Sequence, residues 1–235
     1  MYRIPRHTGC NRRHQAGFTI IELMIATLIF STILIILTFS VLAASEHYYK
    51  GVVQSEVQNT ARSIMSTLST SVQFNSPVQY AALAGQIMEP YQNGLVDWVC
   101  IGNQIFVYQP GYELENTANS AKHQVVQAFI QGTLIGGSCP TTGVSLGASG
   151  ITVPVSYSVS NQTELLGTNM RLSNLVFSQV GSQGAVHIAL QVTYGDDDLL
   201  NPASNPTATN VTCADQIGFQ FCAYSQLSTV VQPRT

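Results

Sequence analysis

Glu22 is the one charge in a membrane-length apolar run, GFTIIELMIATLIFSTILIILTFSVLAA, at residues 17–44. An acidic residue at the centre of a membrane helix costs about 2.5 to 3.5 kcal/mol, so Glu22 asks for a partner. The cysteines form the second reactive set: Cys10 precedes the run, and Cys100, Cys139, Cys213 and Cys222 follow it. An even number beyond the run suits an oxidising compartment, where four cysteines permit three pairings. Sequence order favours Cys100–Cys139 with Cys213–Cys222, because each pair closes one local loop. No CxxC occurs in the chain, which argues against a zinc or thioredoxin-like site.

Asp196, Asp197 and Asp198 follow a strand-like segment and could offer oxygens to Ca²⁺, which takes six to eight of them. Adjacent carboxylates alternate in direction, however, and the glycine and distal glutamate of an EF-hand are absent. A solvated acidic turn is the preferred reading, with no metal expected. His187 and His123 lack the paired Cys, His or Glu spacing of a ligand set. No ordered Ser/His/Asp set stands out, and there is no phosphate-cradling GxxxxGK[ST]. Trp98, beside Val96 and Cys100, reads as packing in a core or at a sheet edge. Asn161-Gln162-Thr163 and Asn210-Val211-Thr212 fit a glycosylation sequon, a match short enough to arise by chance. The expectation is a protein that is not an enzyme and uses no cofactor.

The elements that carry these residues follow from periodicity. Leu23 to Ala44 holds no charge, and as a helix it would span roughly 33 Å. A secretory signal has an apolar core of about 7 to 15 residues, so this run is too long for one. A buried globular helix would show a polar stripe, and there is none. The run predicts a membrane helix. Four of the nine basic residues, Arg3, Arg6, Arg12 and Arg13, lie before Gly17, and all twelve acidic residues lie after it. The positive-inside bias puts the N-terminus in the cytoplasm. Beyond Gly17, five cations face twelve acids, a formal −7 that argues against nonspecific nucleic-acid binding. Only 9% of residues are charged, against about 25% in ordinary globular proteins, and Ser, Thr, Asn and Gln supply the polar surface.

After Ser45 the pattern becomes amphipathic. Val53, Val57, Ala61, Ile64, Leu68 and Val72 recur at spacings of four, four, three, four and four. That helix should end near Asn75, since Ser76 precedes Pro77. Gly51 lowers its propensity by up to about 1 kcal/mol. The remainder reads as strands: 96–101 and 104–109 around a Gly102-Asn103 hairpin, 151–159, 172–180, 186–194 and 226–231. Residues 125–135 read as strand or short helix, and 136–150 and 195–209 as loops. One long helix followed by antiparallel strands is an α+β arrangement, with the amphipathic half of the helix laid across a sheet.

A basic leader, Gly17, an aromatic start at Phe18, Glu22 and a long apolar helix, in that order, resemble the type IV prepilin family. The resemblance implies a lollipop fold with residues 1–17 as leader, 18–45 as transmembrane and assembly helix, 46–76 as its amphipathic continuation and 77–235 as a β-rich head. It implies cleavage by prepilin peptidase between Gly17 and Phe18, then N-methylation of Phe18. Thr19 and Glu22 match the remaining signature positions. Cleavage creates an amine on Phe18, which Glu22 of a neighbouring subunit would pair with in a filament. The plainer alternatives are that Glu22 pairs with its own amine or sits as a membrane-edge residue. The C-terminal half, from GTNMRLSNLVFSQVG through YGDDDLL to FCAYSQLSTVVQPR, resembles minor pilins and pseudopilins. Major pilins often carry a proline partway along the membrane helix, and residues 18–76 have none. The expectation is a minor pilin, first in the inner membrane with its N-terminus inside, then in a surface pilus for adhesion, twitching motility or DNA uptake. Its partners would be prepilin peptidase, other pilin subunits through helix packing, and the inner-membrane assembly platform. A type II secretion pseudopilin is the alternative within the family. Outside it, the alternative is a single-pass membrane protein with a ligand-binding ectodomain.

Overall fold

Without proline to interrupt it, the N-terminal segment forms one helix, α1 (Ile20–Asn75), of 56 residues. The computed structural model describes residues 18–75, 77–114, 124–125, 127–181, 184–196, 199–201, 211–214 and 221–234. The chain divides into two compact units, residues 1–45 and 46–235. In the first, every described residue from Phe18 to Ala44 is exposed. In the second, the stripe foreseen from spacing is buried, with Val57, Ala61, Leu68 and Val72 at 0% exposure. It packs on Ile101, Phe106, Phe129, Met170, Leu190 and Val192.

Among the described residues, seventeen strands follow. They are β1 (Val78–Gln79), β2 (Ala82–Ala84), β3 (Ile87–Glu89), β4 (Tyr91–Asn93), β5 (Val96–Ile101) and β6 (Gln104–Tyr108). Then come β7 (Glu113–Leu114), β8 (Gln124–Val125), β9 (Phe129–Ile135), β10 (Ser145–Gly147), β11 (Gly150–Thr152) and β12 (Ser158–Glu164). The last are β13 (Met170–Val180), β14 (Ala185–Tyr194), β15 (Leu200–Asn201), β16 (Thr212–Cys213) and β17 (Ala223–Val231). One sheet runs β1-β5-β6-β9-β12 with β4 on β5, and a second runs β17-β14-β13-β3-β2 with β7 and β8 attached at β13. Pairing is antiparallel except between β7 and β8.

The first sheet is covered on both faces. Val99, Ile101, Phe106 and Phe129 turn toward the helix core, while Trp98, Cys100, Ile105 and Val107 turn into a second cluster with Cys139, Val144 and Ile151. Burial on both faces explains why β5 and β6 are apolar almost continuously instead of alternating. The Gly102-Asn103 turn joins them, pairing Ile101 with Gln104. Gly102 has φ 61°, and a Cβ there would collide with the Asn75 carbonyl at the end of α1. Glycine is what lets the helix end seat on the hairpin.

Two expectations change. The alternating segment 151–159 is not one strand: β11 ends at Thr152 and β12 begins at Ser158. Between them Pro154, which has no N–H for a ladder, starts a turn in which the Tyr157 N–H donates to its carbonyl at 2.8 Å. Val155 at the apex is fully exposed. Part of the expected 136–150 loop is strand β10, paired with β11. Residues 129–135, open between strand and helix from sequence, are strand β9, pairing with β6 and β12. At its start, the Glu164 carboxylate accepts the N–H groups of Ala128, Phe129 and Leu166.

Candidate functional site

The N-terminal segment is built from its first turn. Thr19 Oγ1 accepts the Glu22 N–H at 3.3 Å, and the Thr19 carbonyl accepts the Leu23 N–H at 3.2 Å. Thr19 is therefore the N-cap of α1, and Glu22, three residues on, occupies the position of the acidic partner in a Thr-x-x-Glu capping arrangement. A carboxylate there also meets the positive end of the helix dipole, worth about 0.3 to 1 kcal/mol at exposed sites. Glu22 thus sits at the mouth of the apolar helix, not its centre, and the penalty for a mid-membrane charge overstates its cost.

Past Glu22 the helix presents large apolar side chains all round. Phe18 is 80% exposed, and Ile25, Leu28, Phe30, Ile36, Phe39 and Leu42 are likewise exposed. Its hydroxyls are satisfied within the helix: Thr27 donates to Met24, Ser31 to Thr27, Thr38 to Leu34 and Ser40 to Ile36. A helix this apolar, with its polar groups paired internally, is long and apolar enough to cross a membrane. A surface of this kind needs lipid or other helices against it.

The other sequence candidates lie apart from this segment. Gly17, Cys10, His123, Asp197 and Asp198 fall outside the described residues. The Asp196 carbonyl accepts the Leu199 N–H at 2.9 Å, closing a local turn. His187 Nδ1 lies 3.2 Å from Ser178 Oγ on the neighbouring strand. Trp98 is fully buried, donates Nε1–H to the Pro140 carbonyl and stacks on Tyr91. Cys100 is bonded to Cys139 and Cys213 to Cys222, each pair with Cα atoms 5.7 Å apart. A peptide map of the unreduced protein should recover these two linked pairs. A fragment joining Cys100 to Cys222 would refute that connectivity.

Two polar features escaped the sequence reading. Arg171 and Glu113 form a buried ion pair at 3.0 Å, with side chains 1% and 5% exposed. Asp97 lies on β5 facing Tyr108 on β6, in register with it. Burial pushes Asp97 up to about 6 and raises the Tyr108 phenol too, with the charge of Asp97 adding to the latter. A signal for Asp97 was present: it shares strand parity with Val99 and Ile101, so an inward strand face carries an acid. Folded chains keep the Asp97 proton to about pH 6, whereas unfolded chains release it near 4. The folded state then binds more protons between those values, so this group's contribution to stability falls as pH rises from about 4 to about 6 and is level above. Asp97→Asn should remove that descent. Denaturation midpoints at pH 4.5 and pH 7 for both chains check it, and identical differences would show that Asp97 does not titrate there.

Residues 12–38 match the prokaryotic N-terminal methylation motif. The matched stretch holds Arg12, Arg13, Gly17, Phe18, the Thr19 cap, Glu22 and the first turns of the apolar helix. Comparison with curated proteins and with solved structures gave no match for the chain.

Proposed function

We propose that this chain, whose N-terminal segment belongs to the type IV prepilin and pseudopilin family, is a minor pilin built into a surface filament. The motif implies processing by prepilin peptidase and assembly with other pilins. In the proposed sequence of events, residues 1–17 are removed, Phe18 is methylated, and residues 18–45 leave the membrane by packing against the helices of other subunits. Residues 46–76 carry the head, 77–235, on the filament. The role is structural, with no reaction of its own.

The observation that carries this reading is the first turn of α1. Thr19 caps the helix and holds Glu22 in its opening turn, four residues from Phe18. Cleavage after Gly17 would place a cationic amine at the same end. Two opposite charges at the mouth of an apolar helix are costly to bury separately and favourable to bury together. Packing such helices side by side, with Glu22 of one subunit against the Phe18 amine of another, removes both charges and the apolar surface from solvent in one step.

The test is mass spectrometry of sheared surface filaments. The expected result is a mature chain beginning with N-methylated Phe18. A retained leader would refute the prepilin reading. A correctly processed chain that is absent from surface filaments yet required for protein export would move it to the secretion pseudopilins.

A further inference from the structure

We propose that the cleft between the β4–β5 hairpin and the free edge of β13 binds an extended peptide bearing a lysine or arginine, its backbone adding to β13 near Leu175 and its cation meeting Asp97. β14 covers one edge of β13 along its length. On the other edge, β7 reaches only Arg171 and β3 only Phe177 and Ser178. On that second edge, between them, Leu172–Val176 has no paired strand among the described residues. A bulge between Leu172 and Asn174 bends the strand there, and on this edge the Leu172 carbonyl accepts the Gly111 N–H at 2.8 Å.

The gap has a cause in the sequence. The Gln179 N–H donates to the Gln86 carbonyl at 2.7 Å, so Gln179, Phe177 and Leu175 turn their backbone groups to this edge. Continuing the β3 register puts Pro90 opposite Leu175, and Pro90 has no N–H to give. The chain leaves at that point and forms β4 in the other sheet. What remains is a cavity of about 490 Å³, lined by Leu172–Val176 on one side and by Pro90, Leu95, Asp97 and Tyr108 among others. Its volume is that of ordinary ligand sites, roughly 300 to 1,000 Å³.

The two walls select the occupant. An open strand edge is a template for another extended backbone, and half-buried Leu175 and Val176 offer contacts to its alternate side chains. Across from it, the Asp97 carboxylate has no hydrogen bond or ion pair with another side chain among the described residues. A body with formal charge −7 beyond Gly17 favours a cationic visitor. Backbone and charge together call for a basic peptide and not a free amine. This site is independent of how the N-terminal segment assembles.

The experiment uses the full chain in zwitterionic detergent and a fluorescein-labelled Ala-Val-Lys-Val-Ala peptide, read by fluorescence anisotropy. Saturable binding is expected. Exchanging the peptide's lysine for glutamate, N-methylating its backbone beside the lysine, or changing the protein by Asp97→Asn should each weaken it about tenfold or more. Far-UV circular dichroism checks that D97N is folded, and the two peptide changes need no protein variant. Absence of saturation, equal affinity for the glutamate or N-methylated peptide, or displacement by lysine amide as effective as by the peptide would each overturn the proposal.

Discussion

A chain carrying Glu22→Ala is expected to be cut after Gly17 and methylated much as the wild type is, and yet to be missing from sheared filaments. The capping bond uses the backbone N–H of Glu22 and the Thr19 hydroxyl, neither of which the substitution removes. The helix should therefore still begin at Ile20. What disappears is the carboxylate, so the Phe18 amine of a packed neighbour would be buried without a counter-charge. Removing one partner of a buried pair costs about 3 to 5 kcal/mol, and 1.4 kcal/mol is tenfold, so incorporation should drop by about a hundredfold or more. Glu22→Gln, which keeps size and hydrogen bonding, should behave like alanine, whereas Glu22→Asp should keep part of the incorporation into filaments. Quantitative immunoblots of membrane and filament fractions separate the two steps. Wild-type levels of E22A in filaments would show that the charge pair is dispensable.

Arg171→Met should cost the folded head about 3 to 5 kcal/mol, a large share of the roughly 5 to 15 kcal/mol by which domains are stable. The Arg171 guanidinium reaches Glu113 Oε2, the Gly111 carbonyl at 3.2 Å and the Gly195 carbonyl at 2.7 Å. It ties the turn before β7, β7 itself and the turn after β14 to the start of β13. Methionine fills much of the volume but leaves Glu113 buried without its cation and removes those donors from both carbonyls. For a unit of this size, each kcal/mol shifts the midpoint by about 2 to 4 °C, so a fall of roughly 10 °C is expected in thermal unfolding followed by circular dichroism. The double change Arg171→Met with Glu113→Leu should recover much of the loss, because no buried charge is then left over. A single variant within 1 kcal/mol of wild type would mean that the pair does not hold β7 in place.

The difference between these two predictions reflects what could be read before the fold was known. Glu22 announced itself by standing alone in a run with no other charge. Its capping role was equally local, since Thr19 and Glu22 are three residues apart. Arg171 gave no such sign: its partner carbonyl on Gly111 is 60 residues away, and its strand neighbours Met170 and Leu172 are buried along with it. Asp97 was halfway between. Its parity on β5 was visible, but the open edge it faces exists only because Pro90 halts the β3 pairing. The segment 151–159 failed for a related reason, since its alternation was genuine but Pro154 broke the ladder.

The sequence by itself determined the long helix, its change from all-apolar to striped at Ser45, the charge asymmetry about Gly17, and the strands β5, β6, β13, β14 and β17. These are set by nearest neighbours: 3.6- and 2-residue periods, capping within one turn, and hydrophobicity along a continuous stretch. Only the tertiary structure decided that the head is built on two large sheets, with the first covered on both faces, and that Arg171 is locked to Glu113. It also decided that one edge of β13 is left without a paired strand opposite Asp97 among the described residues. Those features depend on which distant strands meet and in what register, and a strand's pattern states which face is buried without naming the strand that will lie beside it.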